Sequence, residues 1–140
     1  MNSVIYKADS PKRVMAILAH PDDEAIGCGG LLAKTVRCGG EGFVYILTST
    51  DDRIPELEDS CRVLGVKPQV SELREKELGF SSFRKEFLVD IERIIAGFKP
   101  HVLITHDPQF DYHPDHRKVA ELVIPRLQSV AMGSQGASWH

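Results

Sequence analysis

The chain has 140 residues, 42% of them hydrophobic and 26% charged, with a net charge of −3. That is the size of one ordinary domain with its own core, and the composition excludes collagen-like, coiled-coil and wholly disordered chains. The slight acidity gives no electrostatic reason to expect a nucleic-acid partner. Three cysteines, Cys28, Cys38 and Cys61, form no C-x-x-C pair, so neither a disulfide framework nor a zinc ribbon is indicated. Residues Met1 to Arg13 hold no signal-peptide-like apolar run, and no stretch approaches the roughly 20 apolar residues of a membrane span. The expectation is a cytoplasmic protein with no membrane span, forming a single domain over 1–140 in which 132–140 is a flexible tail.

Val14 to Ala19 is a fully apolar run, which suits a strand buried on both faces. Glu24 to Arg37 reads as a helix stopped by Gly39-Gly40, and Gly27, Gly29 and Gly30 within it suggest close packing on a sheet. Phe43 to Leu47 is a second buried-type strand. Pro55 to Leu64 has proline and acids at its start and Gly65 at its end, as a helix should. Val66 to Leu73 holds a short strand that runs into the charged stretch Glu72 to Glu77. Phe83 to Phe98 has apolar residues at helical spacing and stops at Lys99-Pro100. His101 to Thr105 is another strand, and Asp115 to Val130 a last helix that Pro125 should kink or end. Strands alternating with helices predict an α/β three-layer sandwich with a mostly parallel, Rossmann-like sheet. Such sheets bind ligands beyond the carboxyl ends of their strands.

Two strand exits carry the chemistry. The first opens into His20-Pro21-Asp22-Asp23-Glu24, an imidazole and three carboxylates in five residues. Acids at a helix start stabilise the helix dipole, which accounts for one or two of them but not for the histidine. The second runs from His106 to His116, with His106, His113 and His116 interleaved with Asp107, Asp111 and Asp115. His113 and His116 are three positions apart, so one helical turn can aim both at one place. If the two strands are sheet neighbours, their loops face each other and offer two imidazoles and a carboxylate to one metal, with acid and base groups to spare. Such a set with an open position is a catalytic zinc arrangement.

Ala19 through Glu24 reads A-H-P-D-D-E and His113 through His116 reads H-P-D-H. In these two motifs and their order the chain resembles the PIG-L/LmbE family of zinc-dependent N-deacetylases over roughly residues 13 to 125. The resemblance implies that His20, Asp23 and His116 bind Zn2+, with Fe2+ as the alternative ion. It implies that Asp22 is the base toward water, that His113 stabilises the oxyanion or protonates the leaving amine, and that Asp115 orients a neighbouring imidazole. Arg53-x-x-Glu56 matches a family element that places Arg53 near the substrate, against the plainer reading of a surface salt bridge. Glu24 is expected to anchor the helix start, His101 to be structural, and His106, Asp107 and Asp111 to rim or cap the pocket. Two departures stand out. The chain ends 24 residues after His116, where family members continue, and Ser82 replaces an acid in Leu78-Gly79-Phe80-Ser81-Ser82. A sheet shortened at its C-terminal side predicts a homo-oligomer that covers the open edge.

The implied activity is removal of an acetyl group from an N-acetylated small molecule of the N-acetylglucosamine type. The rivals are a shortened, non-catalytic metal-binding domain and a metallohydrolase of another amide or ester. A dinucleotide-binding module fails because Leu32 stands where G-x-G-x-x-G needs its last glycine.

Overall fold

The computed structural model describes residues 12–75 and 85–133. The L-G-F-x-S stretch, the start of the third expected helix and most of the expected tail lie outside the described residues. Among the described residues four strands form one sheet: β1 Arg13–Leu18, β2 Glu41–Thr48, β3 Lys67–Glu75 and β4 Val102–Ile104. Between and after them run α1 Asp23–Arg37, α2 Ile54–Leu64, α3 Lys85–Phe98 and α4 Pro114–Gly133, with a 3-10 turn at Asp51–Arg53 leading into α2. The spatial order is β3-β2-β1-β4 and every pairing is parallel.

Alternation along β1 explains the three layers. Val14, Ala16 and Leu18 pack with Leu32 of α1 and Leu57 of α2 on one face. Met15 and Ile17 pack with Phe87, Ile91 and Ile95 of α3 and Val119 and Val123 of α4 on the other. A strand buried on both faces needs no polar side, which is why it reads as a continuous apolar run. The α/β sandwich and its parallel sheet therefore match the expectation.

Three local expectations need correction. First, α1 does not need its glycines for close packing. A Cβ at Gly27 or Gly30 would meet nothing within 4 Å, and one at Gly29 would make ordinary contacts at 3.5 and 3.7 Å. The close approaches lie at the other end of the sheet. A Cβ at Gly42 would sit 2.2 Å from Val66 Cγ1, and one at Gly40 2.4 Å from the Lys12 carbonyl oxygen. Second, α1 is not regular: Cys28 has φ −146°, a kink inside the helix. Third, α4 continues past Pro125 to Gly133, so the proline ends nothing and the helix enters the expected tail. β3 also extends through the charged residues to Glu75. His101 is structural as expected: Arg13 N–H donates to its Nδ1 at 2.9 Å, and its own N–H donates to the Arg13 carbonyl at 2.8 Å.

Candidate metal and catalytic site

β1 and β4 are adjacent, with Val14, Met15 and Ala16 opposite Val102, Leu103 and Ile104. The chain leaves β1 toward β2 on one side, whereas β4 lies on the other. The crevice between their exits is the topological switch point of the sheet, the ligand position for this class of fold. Two hydroxyls secure it: Thr105 donates to the Ile17 carbonyl and Thr48 to the Ala19 carbonyl, each at 2.9 Å.

The β1 exit is a tight turn. Asp23 N–H donates to the His20 carbonyl, and Ala25 and Ile26 N–H donate to the Asp22 carbonyl. Asp22 takes a left-handed conformation at φ 86°, which aspartate tolerates better than most residues. This throws its side chain outward, where the Arg53 guanidinium donates to it at 2.9 Å and to the Pro21 carbonyl at 3.1 Å. Asp23 turns inward instead. Its Oδ2 accepts the His20 backbone N–H at 2.9 Å and lies 3.3 Å from His116 Nε2, 3.6 Å from His106 Nε2 and 3.7 Å from His20 Nδ1.

The histidines gather around that carboxylate. His20 Nε2 is 2.7 Å from Asp115 Oδ2, while its Nδ1 faces Asp23. His116 Nδ1 is 2.9 Å from Asp111 Oδ2, while its Nε2 faces Asp23. Each ring has one nitrogen held by a carboxylate and the other turned to Asp23. The ring of His113 lies 4.9 Å from His20 and 4.6 Å from His116. Its Nδ1 accepts the Asp115 N–H at 3.1 Å, so in the neutral ring the proton sits on Nε2.

Electrostatics follow the contacts. Burial opposes ionisation of Asp23, but the bonds from His20 and the nearby imidazoles hold its pKa below the ordinary value. The bond to Asp23 leads in raising His20, against its burial. Burial and the neighbouring His116 push His106 down to about 4.

The donor set fits a divalent cation. His20, Asp23 and His116 each offer a ligand atom, and these atoms lie within 4.8 Å of one another. Two imidazoles and a carboxylate suit a borderline ion such as zinc. Among the described residues two further trios, His20/His113/Asp115 and His106/Asp111/His116, bring their ligand atoms equally close. In both, short carboxylate–imidazole bonds already occupy the ring nitrogens nearest the acid.

All seven candidate residues, Arg53 included, thus lie at or beside one crevice. His106 and Asp111 are closer to its centre than the sequence suggested. His106 stacks on His116 with centroids 3.8 Å apart and planes 11° apart, and its Nε2 accepts the Ala19 N–H at 3.0 Å. The sequence signal for both was the interleaving of histidine and aspartate in their loop. Asp107 behaves as a turn cap, accepting the N–H groups of Gln109 and Phe110. Glu24 lies fully buried in the first turn of α1, where burial raises its pKa against bonds from the turn's backbone and from Ser60, in keeping with a helix-start anchor.

The sequence and the fold are similar to those of known proteins. The chain is 30% identical to a 1D-myo-inositol 2-acetamido-2-deoxy-alpha-D-glucopyranoside deacetylase of Corynebacterium glutamicum, over 93% of this chain and 56% of that protein. Its fold is similar to that of the N,N'-diacetylchitobiose deacetylase of Pyrococcus horikoshii, at TM-score 0.74 and 28% identity over 92% of this chain and 55% of the other. A 4-carboxy-2-hydroxymuconate hydratase of Pseudomonas putida KT2440 shares the fold at TM-score 0.72 and 18% identity, covering 89% of this chain and 57% of the other. The chain spans little more than half the length of each of these proteins. Residues 15–127 match the PIG-L family, described as GlcNAc-PI de-N-acetylase, and the chain belongs to that family.

Proposed function

We propose that this chain is a metal-dependent hydrolase that removes the acetyl group from an N-acetylated small molecule of the N-acetylglucosamine type. One observation carries the reading: His20 and His116, from opposite sides of the switch point, each turn one ring nitrogen toward Asp23 while a carboxylate holds the other. That is the usual wiring of metal-ligating histidines. The names and family of the relatives support the acetamide and the sugar.

His20, Asp23 and His116 would hold one divalent ion, zinc or alternatively iron(II). When bound, such an ion supplies Lewis acidity toward a carbonyl and acidifies water. The remaining steps belong to the chain's own groups. Asp22, exposed beside the cluster, accepts the proton of the attacking water. His113, with Nδ1 occupied by the Asp115 N–H, presents Nε2–H to the developing oxyanion, and the proton that Asp22 has accepted passes to the departing amine. Asp115 keeps the His20 ring in place. Arg53, beside Asp22, binds substrate oxygens, and its contact with Asp22 keeps the base at the mouth of the crevice.

The test is acetate release by the purified chain, supplied with one equivalent of zinc, from a panel of N-acetylglucosamine conjugates and simple acetamides. Preference for the sugar conjugates with loss of rate in chelator supports the reading. Release from esters or simple amides alone overturns the sugar assignment. Metal uptake without any acetate release leaves the metal-binding domain as the function. A homo-oligomer covering the outer edge of β4 completes the proposal, and light scattering that shows an active monomer would refute that part.

A further inference from the structure

We propose that Asp111 is a positioning residue that locks His116 in the tautomer protonated on Nδ1, leaving the Nε2 lone pair turned toward Asp23. This rests on the reading of His116 as a metal ligand.

Asp111 divides its work between its two oxygens. Oδ1 accepts the His113 N–H at 3.0 Å, which shapes the loop. Oδ2 lies 2.9 Å from His116 Nδ1, which reaches across to the first turn of α4. An ionised carboxylate only accepts, so the imidazole nitrogen at this contact carries the proton. The Asp111 carbonyl oxygen is itself held by the Arg117 guanidinium. The loop is thus fixed on both sides of the carboxylate.

His106 completes the clamp. Its Nε2 accepts the Ala19 N–H, so its proton lies on Nδ1, 3.9 Å from the same Asp111 oxygen. The ring is stacked nearly parallel beneath His116. His116 is therefore fixed in plane by the stack and in rotation by Asp111. A residue that merely capped a turn would need Oδ1 alone. The second oxygen, directed at a ring whose other nitrogen faces Asp23, has no part in capping.

The direct test is the tautomer of His116, read from 15N shifts and long-range 1H–15N correlations in the unmodified protein. Expected is a proton on Nδ1, both with zinc bound and in the singly protonated ring without metal. Zinc on Nδ1, or a neutral ring protonated on Nε2, overturns the proposal. The second test is Asp111→Asn, whose single carbonyl oxygen cannot serve both His113 N–H and the ring. Loss of an outer carboxylate typically weakens metal binding about 10–100-fold, so the zinc dissociation constant, measured by chelator competition, should rise by that factor. A change under about twofold, well below that range, overturns the proposal. If Asp111→Asn does not fold, the tautomer in the unmodified chain decides alone. If the chain takes up neither zinc nor iron(II), the deacetylase reading fails, whereas the metal-free ring still reports whether Asp111 holds Nδ1–H.

Discussion

The exits of β1 and β4 build one crevice in opposite ways. From His20 to Glu24 the β1 exit is a single tight turn whose backbone bonds link residues three or four apart. Adjacent residues therefore point in opposite directions, Asp23 to the centre and Asp22 to the rim. From His106 to His116 the β4 exit is a longer segment that adds distant partners to its local bonds: the Ala19 N–H for His106 and the His20 ring for Asp115, beside the His116 ring for Asp111. Chemistry written into a tight turn can be read from residue order. In a long loop the same residue types take their roles from what the sheet places beside them.

The sharpest way to break this comparison is to separate the neighbouring aspartates. Asp22→Asn keeps the shape of the side chain but cannot accept a proton. Loss of a general base typically costs about 10²–10⁴ in rate, so kcat should fall by that order while metal content stays level. Asp23→Ala removes the carboxylate on which the imidazoles converge, so metal content itself should fall and activity with it. Mass spectrometry of bound metal beside kcat for each variant checks both. If Asp22→Asn empties the site and Asp23→Ala does not, the inward and outward assignments are exchanged.

Behind the β1 turn, the buried face between α1 and α2 sharpens the contrast between polar crevice and apolar wall. Burial pushes Cys28 up to about 11 and Cys61 up to about 12, with the Glu24 charge adding to both. The thiolate is the reactive form, so at pH 8 both should resist an aromatic disulfide reagent, whereas exposed Cys38 reacts. Because the pKa values are raised, the reactive fraction grows only as pH climbs toward 11. Cys38→Ser should remove the fast phase. A fast phase that persists at pH 8 would mean that this wall opens.

Much of this was legible in the sequence. Both metal-type motifs, the parallel sheet and the division of helices between its faces follow from short-range order: apolar runs, turn residues, acids beside a histidine. His106 and Asp111 were visible only as residues in the right loop. The stack on His116 and the bond to Ala19 exist because β4 lies beside β1, and spacing along the chain does not carry that adjacency. Glycine was misread for the same reason. Whether a glycine makes room depends on what stands opposite, and opposite Gly42 stands Val66. Gly42→Ala should therefore overpack the β2–β3 face, at a cost of about 1–3 kcal/mol. Chemical denaturation measures it, and Val66→Ala in the same chain should restore part of the loss.

The smallest expected effect tests the corrected reading of α1 and has the opposite sign. Gly27 and Gly30 lie inside a helix, are exposed, and face open space where a Cβ would be. Neither has the positive φ that would reserve its place for glycine. Glycine in a helix costs about 0.5–1 kcal/mol relative to alanine, because the unfolded chain has more freedom to lose. Gly27→Ala and Gly30→Ala should therefore each raise stability by about that amount, and together roughly add, since neither side chain touches a third group. Equilibrium unfolding gives the gain, and metal content and kcat should stay level because the new methyl groups meet nothing. A loss of stability in either variant would mean that α1 approaches a surface at those positions after all, and would restore the packing role that the sequence first suggested for its glycines.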